Sequence, residues 1–212
     1  MNTTVKNVLS AADEATYYSE MVSLSNFLPI NTGLTSAQEQ TMISVLGSPL
    51  KPLTTVDQPS KVSPLVKQLS ANLSLGNVVV TGIKPATDGI LGILNRAFEL
   101  EQAKNHDLKS VLGSRDMLNV RLRKPTSGKP SNKISNHAWG TAIDFKIKGH
   151  IHPGNTGQSI PRFIAVLLPL FNAAGWYSGI AFHDTMHFEV ANETIWKWSA
   201  EGLLHAVAQL DA

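Results

Sequence analysis

The sequence predicts a fold that mixes helices with short strands around one full-sized core. Apolar residues recur at helical spacing in some stretches, most plainly Ile90, Ile93, Leu94, Ala97 and Leu100. In others they alternate with polar residues, most plainly from Thr141 to Lys148, which is the period of a strand. At 212 residues, with 42% apolar and 16% charged, the chain suffices for one domain, or one domain with a small appendage. That composition signals neither disorder nor membrane insertion.

Residues 1–74 read as a mainly helical N-terminal region, either a packed extension or a separate module, and residues 75–212 as the main domain. Thr35 and Gln38 have the spacing of a capping box, opening a helix through Met42 and Leu46 that Gly47 stops, with Pro49 beyond. The Pro-, Thr- and Ser-rich stretch from Ser48 to Pro64 reads as a loop. The pattern changes at Asn77. Val78, Val79 and Val80, ending at Gly82, predict a short buried strand, and a helix follows from about Ala86 to Lys104. Leu118, Val120 and Leu122 alternate with Asn119, Arg121 and Arg123, predicting a half-buried strand with its arginines on the open face.

In the next strand Thr141, Ile143, Phe145 and Ile147 share one face, so Asp144 points away from the apolar side. Ser159 and Pro161 open a helix that Pro169 should kink or shorten and Gly175 ends. Met186, Phe188 and Val190 form the inward face of another strand, which puts His187 and Glu189 on the opposite side. A last helix runs from about Asn192 to Val207, anchored by Trp196 and Trp198.

Lys and Arg number 18 against 16 Asp and Glu, a formal charge of +2, and no basic block with interleaved aromatics appears, so nucleic acid is not an expected partner. The basic stretch Arg115 to Lys133 is patchy and reads either as a solvated loop or as a rim that attracts an anionic polymer. There is no cysteine, which excludes disulfides, thiolate metal sites and cysteine nucleophiles and leaves His and carboxylates as metal ligands. The first 21 residues lack a basic stretch followed by an apolar core, so a Sec-type signal peptide is not expected there. The longest apolar run, Ile164 to Ala174 across Pro169, is too short to span a bilayer.

Three polar clusters fall on the open faces of predicted strands: Arg121 with Arg123, His137 with Asp144, and Asp184 with His187. A catalytic zinc takes three protein ligands and keeps one position for water, which two imidazoles and one carboxylate satisfy. His137 and Asp144 are seven apart and would face opposite sides of one uninterrupted strand, but Gly140 permits a turn that brings both to one ion. Asp184, three residues before His187, ends a turn from which its carboxylate can lie beside a metal-bound water. His150, His152 and His183 are near enough in sequence to act as alternative ligands or substrate contacts, whereas His106 and His205 read as surface residues. Trp139 and Trp176 read either as groove lining or, by default, as core.

The run Ser135-Asn-His137-Ala-Trp-Gly140-Thr-Ala142-Ile-Asp144 resembles the S-x-H-x-x-G-x-A-x-D signature of the D-alanyl-D-alanine carboxypeptidase and L-alanyl-D-glutamate endopeptidase metallopeptidases. Asp184-Thr-Met-His187-Phe-Glu189 resembles their second motif, and the resemblance spans roughly Asn77 to Val190. It implies an α+β fold, with helices packed on a small, mostly antiparallel sheet that carries one zinc ion on its open face. It implies His137, Asp144 and His187 as zinc ligands and Asp184 as general base, with an upstream arginine for the substrate or the oxyanion, Arg121 first and Arg123 in reserve. Ser135, Trp139 and His183 become weaker candidates for substrate contact, and Glu189 a hydrogen-bond partner for an imidazole.

The implied substrate is a peptidoglycan stem peptide. Asp rather than Glu at position 184 is similar to the phage-lysin L-alanyl-D-glutamate endopeptidases, with D-alanyl-D-alanine cleavage as the alternative and a non-catalytic binding module as the reading of another class. Under the resemblance the N-terminal region could serve wall binding. Such an enzyme would be made in the cytoplasm and act in the periplasm or on the extracellular wall, delivered by a holin or a secretion apparatus, and an immunity protein is a further expected partner.

Overall fold

A computed structural model describes residues 9–124, 131–150 and 158–205. In chain order the elements are α1 (Ala11–Ser19), β1 (Met21–Ser23), α2 (Glu39–Leu46), α3 (Pro64–Leu69), β2 (Ser70–Leu75), β3 (Val78–Ile83), α4 (Lys84–Ala103), α5 (Leu108–Val111) and β4 (Leu112–Ser114). After these come β5 (Ala142–Ile147), β6 (Ser159–Pro161), α6 (Arg162–Ala173), β7 (Trp176–Ser178), β8 (His187–Val190) and α7 (Asn192–Ala200).

The central sheet has four antiparallel strands in the order β4-β5-β8-β7, and β2 with β3 and β1 with β6 form two-stranded antiparallel sheets. The fold is therefore α+β, as expected. Alternation decides which side of the central sheet is dry: Ile143, Phe145 and Ile147 of β5 and Phe188 and Val190 of β8 are fully buried. Phe145 and Phe188 meet Phe171 of α6, whose ring also stands edge-on to Trp176. α4 packs against α6 and against the β2–β3 hairpin. The opposite side of β5 and β8 is left for polar groups.

Residues 1–74 contribute Tyr18, Met42, Leu46 and Val66 to the same hydrophobic cluster as the residues just named. Buried carboxylates tie them on as well. Glu14 accepts from the Asp107 amide at 3.0 Å and pairs with His106 at 3.1 Å, while the Tyr18 hydroxyl donates to Glu101 at 2.8 Å. Arg162 lies 4.3 Å over the Tyr17 ring, which stacks on His106. His106 is thus a half-buried partner of α1 rather than a surface residue.

Several local expectations change. Thr35 caps no helix: its amide and hydroxyl both donate to Glu193, and α2 starts at Glu39. β3 alternates between buried and exposed from Val78 to Thr81, leaving Val79 66% exposed, and is buried at both Gly82 and Ile83. The stretch 118–123 forms no strand beyond one bridge, Leu122 to Ile134, because its amides bond to scattered partners: Thr54, Asp57, Lys133 and His137. Ser159 to Pro161 is a strand pairing with β1, and α6 continues past Pro169 to Ala173, with Gly175 just beyond its end in the left-handed region. α7 is regular to Ala200, and Trp196 is exposed rather than an anchor. The helix stops there, short of the expected Val207: residues 201–204 are turns, with Gly202 at φ 76°, while residues 206 and 207, like His152, lie outside the described residues. Among the described residues no helix is long and apolar enough to cross a membrane.

Candidate metal centre

The sheet register builds half of the site directly. Asp144 of β5 sits opposite His187 of β8, so their side chains emerge as cross-strand neighbours on the polar face. His137 arrives from a single 3-10 turn, Asn136–Trp139, that Gly140 ends at φ 63°. A side chain at Gly140 would start 2.9 Å from the Gly82 α-carbon, so both conformation and contact require glycine. The break that seven-residue spacing demanded is therefore present. His137, Asp144 and His187 each offer a ligand atom, all within 4.8 Å of one another.

Each imidazole has its remote nitrogen engaged. His137 Nδ1 lies 3.2 Å from the Met117 carbonyl, so it donates there and turns Nε2 toward Asp144 at 3.4 Å. His187 Nε2 lies 3.0 Å from Glu189, and its Nδ1 lies 3.0 Å from Asp144. Backbone and carboxylate partners thus aim two imidazole nitrogens and one carboxylate oxygen at one point. That donor set fits a metal ion with an open position.

The charges follow from these contacts. Burial pushes the Asp144 carboxyl up, but hydrogen bonds from His137 and His187 outweigh it and hold the group well below the carboxylate range. Burial alone would lower His187, yet Asp144 and Glu189 raise it to about 10, so the metal-free ring carries a second proton that a cation would replace. Glu189 is also lowered, since donors led by His187 overcome its burial.

Asp184 stands at the rim, after a 3-10 turn, Gly179–Phe182, that folds over His187. The Asp184 amide donates to the Gly179 carbonyl at 2.9 Å, and a side chain at Gly179 would start 2.9 Å from the His187 β-carbon. Partial desolvation by its neighbours raises the Asp184 carboxyl; His187, His137 and Arg121 pull it down while Asp144 pushes it up. Asp184 thus feels both imidazoles, the opposing carboxylate and the Arg121 guanidinium. Arg121 is half-buried and donates to its neighbour Leu122's carbonyl at 3.2 Å, and Arg123 is held by the Ile134 carbonyl at 3.2 Å.

The remaining candidates scatter. Ser135 is buried at the start of the His137 turn. Trp139 is fully buried and donates to the Gly47 carbonyl at 2.8 Å, so it packs the core and cannot line a groove. His183 is exposed with φ 66°, closing the turn that precedes Asp184, and His150 is exposed. Sequence reasoning missed Ser36 and Ala37, which bond to Glu189, and Phe182, whose ring is 44% exposed and centred 5.5 Å from that of His187. The apolar Phe182 next to the Asp184 motif was the only visible sign.

A family model described as D-alanyl-D-alanine carboxypeptidase matches residues 129–190. That stretch holds His137, Asp144, Asp184 and His187 and leaves out Arg121 and residues 1–74. It is the family that the two motifs resemble. No curated protein and no solved structure matches the chain.

Proposed function

We propose that this chain is a zinc peptidase that hydrolyses an amide bond in peptidoglycan stem peptides, acting in the periplasm or on the extracellular wall. The convergence of His137 Nε2, Asp144 Oδ1 and His187 Nδ1 beside Asp184 carries the reading. Bound to these three, a zinc ion supplies Lewis acidity and lowers the pKa of a water to about 7. The Asp184 carboxylate takes the proton of the attacking water and returns it to the leaving amine. The Arg121 guanidinium binds a substrate carboxylate or the developing oxyanion. Glu189 and the Met117 carbonyl keep the two imidazoles oriented throughout.

The bond proposed is L-alanyl-D-glutamate, on the strength of aspartate at position 184. A second reading, cleavage between two D-alanines, is supported by the description of the family matched over residues 129–190. Mass spectrometry of muropeptides digested with zinc-loaded protein separates them. Release at L-alanine is expected, loss of a single D-alanine would replace the first reading by the second, and an unchanged digest would refute both.

A further inference from the structure

Glu189, the last residue of the second motif, is the most heavily engaged carboxylate near the site. It is 3% exposed and receives four donors. Ser36 Oγ at 2.5 Å and the Ala37 amide at 3.1 Å meet one oxygen; Asn136 Nδ2 at 2.7 Å and His187 Nε2 at 3.0 Å meet the other. An ionised carboxylate only accepts and has about four lone-pair positions, so each is filled and His187 Nε2 must carry a hydrogen. That tautomer leaves Nδ1 for the ion.

The segment that delivers Ser36 is itself clamped across the end of β8. The Thr35 amide and hydroxyl donate to Glu193 at 2.9 and 2.6 Å, and the Asn192 amide donates to the Thr35 carbonyl at 3.0 Å. Asn136, next to His137, donates to the Ala37 carbonyl at 3.2 Å as well as to Glu189. Residues 35–37 therefore touch both halves of the metal centre. A buried carboxylate keeps its charge and direction only while its acceptor sites are occupied.

We propose that Ser36 is a positioning residue of the metal centre: by filling one side of Glu189 it holds His187 in the orientation and tautomer that bind zinc. The N-terminal region is thereby part of the site, a conclusion that rests on the metal-binding half of the function proposed above. Ser36→Ala leaves Glu189 with one donor fewer on that oxygen, freeing it to turn away from the imidazole.

Zinc affinity, read by competition with a chromophoric chelator, should fall about 10- to 100-fold in Ser36→Ala. Ser36→Thr, which keeps the hydroxyl, should restore it. Thr35→Ala, which removes the hydroxyl bond to Glu193 but keeps the two backbone bonds of the clamp and leaves Glu189 untouched, should bind zinc like the parent. Nitrogen NMR of the zinc-loaded His187 ring should show a protected Nε2 hydrogen in the parent and its faster exchange in Ser36→Ala. Parental affinity and exchange in Ser36→Ala would overturn the proposal. So would an equal loss in Thr35→Ala, which would make the packing of the segment responsible. A parent that takes up no zinc would overturn this proposal and the function together, whereas a zinc-loaded parent that leaves muropeptides intact would overturn the function alone.

Discussion

Asp144 and Asp184 carry the same carboxyl group within electrostatic reach of each other, and their surroundings drive it in opposite directions. Two imidazoles hydrogen-bond Asp144 and keep it ionised, as a ligand must be, while partial desolvation and a neighbouring negative charge raise Asp184. Asp184→Asn removes the proton acceptor and no ligand atom. Turnover should fall by about 10²- to 10⁴-fold with zinc content unchanged, checked by steady-state kinetics beside metal analysis. Near-parental turnover would remove Asp184 from the mechanism. At this scale the ligands were legible because each lies in a short motif whose spacing and alternation are local. Ser36 was not, because a serine in a loop has no periodicity and its partner lies 153 residues away.

At the scale of elements, legibility followed the range of the bonds. α4 and β5 declare themselves through their own periodicity and lie within two residues of the expected bounds. β6 does not, because its three residues are a strand only by pairing with Met21 to Ser23. The 118–123 stretch carries the alternation of a strand, yet its amides find loop carbonyls and a carboxylate instead of a ladder. The turn at Gly140 combines local and distant demands, since its φ of 63° is a backbone property and the 2.9 Å that an added β-carbon would have from the Gly82 α-carbon a tertiary one. Gly140→Ala should cost about 2–4 kcal/mol, from left-handed strain plus overpacking, measured by urea unfolding of the metal-free protein. Zinc affinity should fall with it, since the turn carries His137. An alanine variant of parental stability would show that the turn can relax.

For the whole molecule, the attachment of residues 1–74 makes a testable link between pH and stability. The fully buried Tyr18 of α1 donates its hydroxyl to Glu101 of α4, 83 residues away, and Glu101 also takes Lys104 at 2.7 Å. Burial first, then Glu101 and Glu14, push the Tyr18 hydroxyl far above its usual value near 10. The folded state thus holds this proton more tightly than the unfolded chain, so the contribution is complete below pH 10 and is lost as pH rises above it. Tyr18→Phe should lower stability at pH 8 by about 1.5–3 kcal/mol, the worth of a hydrogen bond to a charged group. Because the parent alone loses this contribution in alkali, the gap between the two should narrow by about 1.4 kcal/mol for each unit above pH 10. Urea unfolding of both proteins at pH 8 and pH 11 measures it, and a gap independent of pH would mean that Tyr18 contributes through packing and not through its proton.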